Sequence, residues 1–371
     1  MSSAQTTVIN KNCYLQLEMG LVNQLCLLAQ RLVHLYTTNN IDAFVANREF
    51  FSTEIVESVR ALERFGSSQK FDQRTIDQNI GWLKPEVALD CLKDRERTVG
   101  YAKAIRLAVD KLVCQKREGE LVEIVDAGSG PLPIFAIFAA ISSPTTRVRA
   151  LEIDPLSARI AKEIVLKLGL QDRITVINCD AQKYSYLFET GKKFDLLVTE
   201  TMTSALAGES MRFIFENLAP QVVEGGLTIP RAVTIDLLLK SDADDKREFL
   251  LTKDAPLYRL SKDSFLEHSW RSIIFDNIPI GNYKVYLRTT VDLFSDDQFC
   301  VVLSPNKTSI TGDIRIGAFL IDKATLGIET YYVPNSDPYF DPLAHDFCRV
   351  ELRRRSSRES GLTLPSPPPF E

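Results

Sequence analysis

The sequence predicts an α/β protein in which a parallel sheet domain is followed by a mainly antiparallel β domain, with a helical segment before both. Three observations support this fold class. Short apolar runs alternate with helical stretches over about residues 85–229, a glycine-rich turn joins one run to a helix, and the later runs follow one another without clear helices. Strands separated by helices are typical of a parallel sheet covered on both faces.

Helical periodicity dominates the first part of the chain, which we take as residues 1–80. Apolar residues recur at helical spacing in LEMGLVNQLCLLAQRLVHLY and in EFFSTEIVESVRALERFG. Residues 13–64 therefore predict two or three amphipathic helices. The segment GSSQKFDQ, residues 66–73, is rich in turn-forming residues and indicates a boundary before the sheet domain.

Residues 81–229 predict the parallel sheet domain. Four runs rich in strand-forming residues each end in turn residues, and the helical stretch LSARIAKEIVLKLG lies between the second and the third. The four runs are LVEIVDAG, VRALEID, ITVINCD and KFDLLVTE. Because parallel strands need a crossover between them, this alternation indicates strands that all point the same way.

The pattern changes after GGLTIP, and residues 230–355 predict the antiparallel domain. Its runs are AVTIDLLL, YKVYLRTTVDLF, QFCVVLSP, DIRIGAFLID and GIETYYVP. The tail, residues 356–371, is rich in Ser and Pro, a composition that cannot bury enough apolar surface to pack. We expect a flexible tail there.

Composition and charge exclude several classes of protein. The 371 residues are 45% hydrophobic and 25% charged, which suits an ordinary globular protein with a sizeable core. A net charge of -5 argues against nucleic acid as a partner. No apolar run reaches the roughly 18 residues that a membrane span needs, and the first residues lack a secretory pattern, so we expect no membrane association.

Cysteine and histidine usage favours a reduced, cytoplasmic setting. The seven cysteines are scattered and never spaced as CxxC, so neither a disulfide framework nor a zinc site is expected. With only three histidines in the chain, a His-rich metal site is not expected either. We therefore predict no metal.

The first candidate site is the stretch VEIVDAGSGPLPIF, a strand, a glycine turn and a helix start. Gly128 and Gly130 allow the backbone to approach a ligand, and the helix start offers free N–H groups. Pro133 stands where a dinucleotide fingerprint would have its third glycine. Asp126, beside the turn, is expected to hold the loop or bind an ammonium group.

Two further acids follow the next strands. Glu152 lies near the tip of VRALEID and Asp180 ends ITVINCD, so both are expected at the carboxyl edge of the sheet. Glu152 can accept hydrogen bonds from a ribose diol, and Asp180 can accept from an adenine amino group. For each acid taken alone, a strand-end cap or a solvated turn is the slightly favoured explanation. Together with the glycine turn, they resemble S-adenosylmethionine-dependent methyltransferases of the Rossmann-like class.

The segment CLKDRERTVGYAKAIRLAV, residues 91–109, narrows the resemblance to protein arginine N-methyltransferases. It is similar to the signature that precedes the sheet in that family, although Cys91 replaces a Met. The resemblance implies that Arg97 pairs with the carboxylate of S-adenosyl-L-methionine, as a bidentate guanidinium can. A charged helix face is the alternative for this motif alone.

The stretch ETMTSALAGESM has the form of the same family's double-glutamate loop, with Glu200 and Glu209 nine residues apart. A guanidinium is protonated in water and its cation is a poor nucleophile. Two carboxylates can grip its N–H groups, orient one nitrogen for methyl transfer and stabilise the developing charge. The resemblance makes both glutamates catalytic and an arginine guanidinium the acceptor.

Other features of the family are only partly present. GGLTIPRAVTIDLL resembles the crossing into the family's β-barrel, so the last domain is expected to be β-barrel-like. Trp270 matches one residue of the family's Thr-His-Trp loop, and we assign it, with Met202, to the acceptor pocket. A core position is an equally good explanation for Trp270. The third glycine of the family's turn is replaced by Leu132, and KSDADDKREFLLTKDAPLYRLSKDSF is the only candidate dimerisation arm.

Several alternatives stay open at this stage. Free arginine or a small guanidine is slightly favoured over protein arginine, and the N-terminal helices are expected to form a lid or a dimer interface. The resemblance implies a homodimer. A methyltransferase of another small-molecule amine, oxygen or carbon acceptor is the second hypothesis, and a non-catalytic partner that keeps a cofactor-shaped pocket is the third.

Overall fold

A computed structural model describes ten segments of the chain. They are residues 3–37, 57–58, 60–61, 85–208, 210–243, 247–265, 269–274, 278–323, 325–332 and 348–354. For residues 3–18 only the backbone is described. The predicted boundary at 66–73 and the tail at 356–371 lie outside these segments, and the second predicted N-terminal helix is described only at residues 57–58 and 60–61.

The helices before and within the sheet domain follow the predicted alternation. They are α1 (Ser3–Thr37), α2 (Pro85–Asp90), α3 (Arg95–Gln115), α4 (Ile134–Ser142), α5 (Pro155–Lys167), α6 (Tyr186–Thr190) and α7 (Met211–Leu218). Helix α5 begins at Pro155, and its start is capped because the Asp154 carboxylate accepts a hydrogen bond from Ser157 N.

Five parallel strands form the sheet domain: β1 (Val122–Ala127), β2 (Thr146–Glu152), β3 (Ile174–Asn178), β4 (Phe194–Thr199) and β5 (Val222–Ile229). Their spatial order is β3-β2-β1-β4-β5, and every neighbouring pair is parallel. All residues of β1 and β4 are buried, as expected of central strands with helices on both faces. The predicted Rossmann-like sheet is confirmed.

The connections reverse direction between β1 and β4. From β1 the chain runs outward through β2 and β3, and then returns to place β4 on the other side of β1. The carboxyl ends of β1 and β4 therefore flank a crevice, and ligands of open α/β sheets bind at such switch points.

The rest of the described chain is antiparallel. Its strands are β6 (Ala232–Ser241), β7 (Glu248–Leu250), β8 (Tyr258–Ser261), β9 (Ser264–Phe265), β10 (Ser269–Ile274), β11 (Gly281–Ser295), β12 (Cys300–Leu303), β13 (Ile314–Ile321), β14 (Thr325–Tyr332) and β15 (Cys348–Arg354). β11 pairs with β6, β12 and β13 in a seven-stranded sheet, while β10, β14 and β15 form a three-stranded sheet. The predicted antiparallel sheets after the parallel one are confirmed. The domain boundaries stay a prediction.

The candidate dimerisation arm folds back onto its own chain. Within its described residues, β7 and β8 both pair with β6, and β9 pairs with β8. These short strands were not recognised in the sequence, because each has four residues or fewer and no clear alternation.

Helix α1 covers the sheet domain on one helical face. Its residues 19–37 bury Leu25, Leu28 and Leu32 against α4 and α5. Near its end, the Tyr36 ring stacks on Phe138 with 4.4 Å between ring centroids. Helix α1 therefore extends the main core, as an amphipathic helix does when its apolar stripe is covered.

The parallel sheet and the antiparallel strands β11 and β12 both pack against α3. Gly100 of α3 has no room for a side chain, because an added Cβ would lie 2.7 Å from Leu303 Cδ2 of β12. The same core cluster contains residues of the parallel sheet, α3 and the antiparallel sheets. Antiparallel strands therefore stand next to the helix that carries Arg97. Among the described helices, none combines the length and apolar character that crossing a membrane requires.

Candidate cofactor and acceptor site

A cleft opens at the carboxyl ends of β1, β2, β3 and β4, where the switch point predicts a ligand. The empty space within it, counted out to its open mouth and including open solvent, is about 1220 Å³. Six residues singled out in the sequence line it, and they come from α3, the glycine turn and the ends of three strands: Arg97, Gly128, Gly130, Glu152, Asp180 and Glu200.

The glycine turn after β1 needs glycine for two separate reasons. Gly128 and Gly130 have φ angles of +81° and +68°, which residues with a Cβ rarely adopt. In addition, a Cβ on Gly128 would lie 2.4 Å from Thr201 Cγ2. The backbone of the turn is thus exposed to the cleft at a point where a side chain would not fit.

Asp126 holds the helix that follows the turn. Its Oδ2 accepts a hydrogen bond from Ala136 N in the first turn of α4 at 3.0 Å. Burial raises the pKa of Asp126 to about 7, although the Ala136 bond opposes the shift. Within the described chain, Asp126 is not among the residues that line the cleft. Its predicted loop-holding role fits this geometry better than direct contact with a cofactor, which stays untested.

Glu152 is fixed by two backbone N–H groups. Gly130 N donates to Oε2 at 2.7 Å and Asp154 N donates to Oε1 at 2.8 Å. Burial nevertheless raises the pKa of Glu152 to about 7. Each carboxylate oxygen has a second lone pair that a hydroxyl donor can use. Glu152 thus ties the glycine turn to the end of β2 and still faces the cleft.

Asp180 lies just beyond β3 on the same edge. Its Oδ1 accepts from Gln182 N at 2.9 Å, and its Oδ2 is 3.2 Å from Lys183 Nζ. Asp180 and Gln182 both line the cleft, and they follow β3, which β2 and β1 separate from β4. This position suits the adenine amino group that the sequence assigned to Asp180.

Arg97 and Glu200 form a buried ion pair. Arg97 Nη1 lies 3.3 Å from Glu200 Oε2, and Arg97 Nη2 donates to the carbonyl oxygen of Cys91 at 2.5 Å. Burial raises the pKa of Glu200, and the positive charge of Arg97 opposes the shift. The pair links the predicted cofactor-binding residue directly to a predicted catalytic acid.

The end of β4, where Glu200 stands, is fixed by buried hydroxyls. Tyr101 of α3 donates to the carbonyl oxygen of Thr199 at 3.1 Å, and Thr199 Oγ1 donates to the carbonyl oxygen of Ala127 at 3.0 Å. Both bonds connect β4 to elements that carry other cleft residues. Glu200 therefore follows a rigid strand end, as a preorganised site requires.

Two buried polar atoms of cleft residues lack a hydrogen-bond partner within the described chain. They are Ser129 Oγ and Glu200 Oε1. Buried polar groups are nearly always hydrogen-bonded, so these two atoms are available to a ligand that enters the cleft. One of them is a carboxylate oxygen, which suits a cationic donor such as a guanidinium.

Besides Asp126, three predicted residues are not among those that line the described cleft. Glu209 lies outside the described residues, and for Trp270 only the backbone is described, within β10. The neighbour of Glu209, Ser210, does line the cleft. Met202 is 1% exposed and belongs to the main hydrophobic core. The assignment of these residues to substrate stays a prediction.

Sequence reasoning missed contributors that act through the backbone or through a small hydroxyl. The Cys91 carbonyl oxygen accepts a hydrogen bond from Arg97. Every residue has a backbone carbonyl, so the sequence pattern could not identify this one as a partner. Ser129 was recognisable in principle, because it stands between the two glycines of the turn. The Thr201 side chain packs against the backbone of Gly128, and the two residues become neighbours only when the chain folds.

Comparison with known sequences agrees with this geometry. Over 153 residues, the chain is 31% identical to protein arginine N-methyltransferase 7 of Rattus norvegicus and 28% identical to that of Aedes aegypti. Over 148 residues it is 28% identical to the arginine N(omega)-methyltransferase of Streptomyces achromogenes subsp. streptozoticus. The chain is similar to arginine N-methyltransferases. No protein-family profile matches it.

The similarity to arginine N-methyltransferases covers part of each protein. The matched stretch is 39% of this chain, 21% of the rat and mosquito proteins and 37% of the Streptomyces protein. The chain thus spans about a fifth of the length of the first relatives it matches. Solved structures of Arabidopsis thaliana protein arginine methyltransferase 10 and of PRMT6 align at TM-scores of 0.48 and 0.43, with 14% and 15% identity. They cover 66% and 71% of this chain, and 86% and 96% of their own.

Proposed function

We propose that this protein is an S-adenosyl-L-methionine-dependent methyltransferase that methylates an arginine guanidinium. The observation that carries the proposal is Glu200. Its carboxylate is buried at the end of β4, one oxygen pairs with Arg97 at 3.3 Å, and the other has no partner among the described residues. A buried carboxylate oxygen that lacks a donor is strongly stabilised by a cationic one.

The cleft residues suit the cofactor that this activity needs. Glu152 offers lone pairs for a ribose diol, Asp180 offers them for an adenine amino group, and the backbone of the Gly128 turn is open to close approach. In this proposal Arg97, which pairs with Glu200, also binds the carboxylate of the methionine moiety. When bound, S-adenosyl-L-methionine supplies an electrophilic methyl group on a sulfonium.

The chain's own residues then account for acceptor activation. Glu200, held by a rigid strand end, grips one side of a guanidinium through charge-assisted hydrogen bonds. Glu209, assigned from the spacing in the sequence, grips the other side. The two carboxylates together draw positive charge toward the gripped nitrogens and orient the remaining nitrogen toward the methyl group.

The acceptor class is a finer part of the proposal. We favour free arginine or a small guanidine slightly over protein arginine, because the sequence departs from the protein-modifying family in its glycine turn and its arm. The pairing of β7 and β8 with β6 supports this preference, since the only candidate arm folds into its own sheet. Methylation of another small amine, oxygen or carbon acceptor is the second candidate. A homodimer and a cytoplasmic location stay predictions.

Acceptor methylation tests the proposal directly. The full chain is incubated with S-adenosyl-L-methionine and with free L-arginine, an Arg-Gly peptide or agmatine, and mass spectrometry follows additions of about 14 daltons per methyl group. We expect one of these guanidines to be methylated. In Glu200→Gln and Glu209→Gln we expect activity to fall by at least about a hundredfold, because each variant removes one charged contact made in the transition state.

The matched control is Glu224→Gln, the same substitution at an exposed position of β5. It should retain wild-type activity. Binding of S-adenosylhomocysteine, measured by calorimetry, separates the alternatives. Binding without methylation of any guanidine would exclude arginine as the acceptor, and absence of binding would favour the non-catalytic hypothesis.

A further inference from the structure

The segment that follows Glu200, which we call the acid loop (residues 201–208), turns sharply at two non-glycine residues. Ala205 has a φ angle of +56° and Leu206 one of +48°. Residues with a Cβ avoid this left-handed region for steric reasons. The base of the loop is closed, because Met211 N donates to the Thr201 carbonyl oxygen at 3.0 Å.

Two buried side chains of the antiparallel domain hold the turn at Ala205. Thr289 Oγ1 of β11 accepts a hydrogen bond from Ala205 N at 2.7 Å. The Tyr332 hydroxyl of β14 donates to the Ala205 carbonyl oxygen. Both side chains are fully buried. Thr289 lies 84 residues and Tyr332 lies 127 residues further along the chain than Ala205. Neither residue lines the described cleft.

A third contact joins the same turn to the helix that carries Arg97. Ser204 Oγ donates to the Ser309 carbonyl oxygen at 2.9 Å. Ser309 N in turn donates to Asp94 Oδ2 at 2.6 Å, and Asp94 Oδ1 accepts from Arg97 N at the start of α3. The acid loop is therefore attached to the antiparallel domain on one side and, through Ser309, to α3 on the other.

Strained backbone persists only where the surrounding structure over-determines it. Here the determining contacts are the hydrogen bonds to both polar groups of Ala205, because an unpaired buried N–H or C=O is costly. Glu200 immediately precedes the acid loop and Glu209 immediately follows it. The conformation of the loop therefore sets the path of the backbone that leads from Glu200 toward position 209.

We propose that Thr289 and Tyr332 are positioning residues, which hold the acid loop so that Glu200 and Glu209 grip one guanidinium together. This inference rests on the proposed function. It assigns to the antiparallel domain a part in the chemistry of the sheet domain without any contact to the substrate.

The test uses two variants that remove one hydrogen-bonding group each and keep the side-chain shape. Thr289→Val leaves Ala205 N without its acceptor, and Tyr332→Phe leaves the Ala205 carbonyl without its donor. We expect kcat for the methylated guanidine to fall about tenfold or more in each, while the Kd for S-adenosylhomocysteine stays within about twofold. Amide hydrogen exchange should accelerate in the acid loop and stay unchanged in β1 and β4.

Matched controls come from the same strands. Thr330→Val replaces a buried threonine of β14 whose Oγ1 has no partner among the described residues. Tyr283→Phe removes a hydrogen bond from a buried tyrosine of β11 to the Pro279 carbonyl oxygen at 2.8 Å, away from the acid loop. Both should keep the wild-type kcat. Any loss of stability in Tyr283→Phe calibrates the effect of destabilisation alone.

Rescue distinguishes positioning from simple support of the fold. Ala205→Gly removes the Cβ that makes the left-handed turn unfavourable, so the loop then needs less help to adopt it. The double variant Thr289→Val with Ala205→Gly should have a kcat about fivefold higher than that of Thr289→Val alone. Unchanged kcat and exchange in both primary variants would overturn the proposal, as would an equal loss in the controls or no recovery with Ala205→Gly.

Hydrogen exchange keeps this proposal separable from the proposed function. If the wild-type protein methylates no guanidine, the arginine assignment fails, and exchange in the acid loop alone decides the positioning role. Faster exchange in Thr289→Val and Tyr332→Phe, reduced again by Ala205→Gly, would support it. Exchange rates equal to those of the wild type would overturn it.

Discussion

At Gly128 the backbone approaches Thr201 so closely that one added methyl group has no space. In Gly128→Ala, the new Cβ would lie 2.4 Å from Thr201 Cγ2, and the φ angle of +81° adds backbone strain. The turn must shift to relieve both, and it carries the N–H group that binds Glu152. We expect S-adenosylhomocysteine to bind at least about tenfold more weakly by calorimetry, which corresponds to about 1.4 kcal/mol.

Two further variants separate the contact from the strain. Gly119→Ala has a similar φ angle of +84° but nothing within 4 Å of the new Cβ, so it should leave cofactor affinity unchanged. Gly128→Ala combined with Thr201→Ser removes the clashing methyl and keeps the hydroxyl that bonds Thr199. We expect this double variant to regain part of the affinity. If Gly119→Ala weakens binding equally, the contact with Thr201 is not the cause.

The Arg97–Glu200 pair shows what burial does to a charged site at the residue scale. Burial raises the pKa of Glu200, the positive charge of Arg97 opposes the shift, and the negative charge of Asp94 adds to it. One carboxylate oxygen of Glu200 has no hydrogen-bond partner within the described chain. A second cation at that oxygen completes the bonding. In the proposed function, the guanidinium of the acceptor is this second cation, and it brings several N–H donors.

At the scale of elements, the position of α1 bears on its predicted role as a lid. Its described side chains pack on α4 and α5, and in this part of the chain the cleft lining runs from Ala88 to Ile214 without a residue of α1. Tyr36 anchors the end of α1 by stacking on Phe138 and by a hydrogen bond to Ser142 Oγ at 2.5 Å. The helix thus contributes to the core of the sheet domain.

Tyr36→Ala tests this interpretation of α1. Truncating a buried aromatic residue should lower the free energy of unfolding by about 3 kcal/mol, measured by denaturant unfolding. Tyr36→Phe should cost about 1 kcal/mol, because Ser142 Oγ retains its bond to the Phe138 carbonyl oxygen. The KM for the guanidine should stay at the wild-type value in both variants.

Leu27→Ala is the control on the same helix. Leu27 is 61% exposed, so its truncation should change stability by less than about 0.5 kcal/mol. A raised KM in Tyr36→Ala, with stability unchanged, would instead favour α1 as a lid over the acceptor.

At the scale of the whole molecule, most elements of the sheet domain could be predicted from local sequence patterns. Strand and helix periods indicated β1 to β4 and α5, and the rule that parallel strands end at one edge brought Gly128, Glu152 and Asp180 together. The same rule predicted the place of Glu200. These inferences succeeded because each depends on a few adjacent residues and on one property of parallel sheets.

The remaining features depend on contacts that no local pattern encodes. The bond from Ser309 N to Asp94 joins residues 215 positions apart, and the bond from Tyr332 to Ala205 spans 127. Short strands such as β9 are fixed by their neighbours in the sheet and not by their own sequence. Asp126 was recognised as a site residue, but only the fold reveals that its carboxylate bonds the start of α4.

Two buried acids, Asp126 and Glu152, make the stability of the whole molecule depend on pH. In the folded protein Asp126 and Glu152 have pKa values of about 7, whereas unfolded carboxyl groups titrate near about 4. Between these values the folded state binds more protons than the unfolded state. The contribution of these two groups to the free energy of unfolding is therefore largest below about pH 4 and falls as the pH rises to about 7.

We expect this decrease to approach about 1.4 kcal/mol per pH unit for each group at most, and to level off above about pH 7. Denaturant unfolding from pH 5 to pH 8 measures it. Asp126→Asn keeps a carbonyl oxygen for the Ala136 N–H group, and Glu152→Gln keeps one for Gly130 N, so each variant should remove its own share of the slope. A slope that survives both substitutions would mean that other groups set it, and that the buried carboxyl groups titrate near their unfolded values.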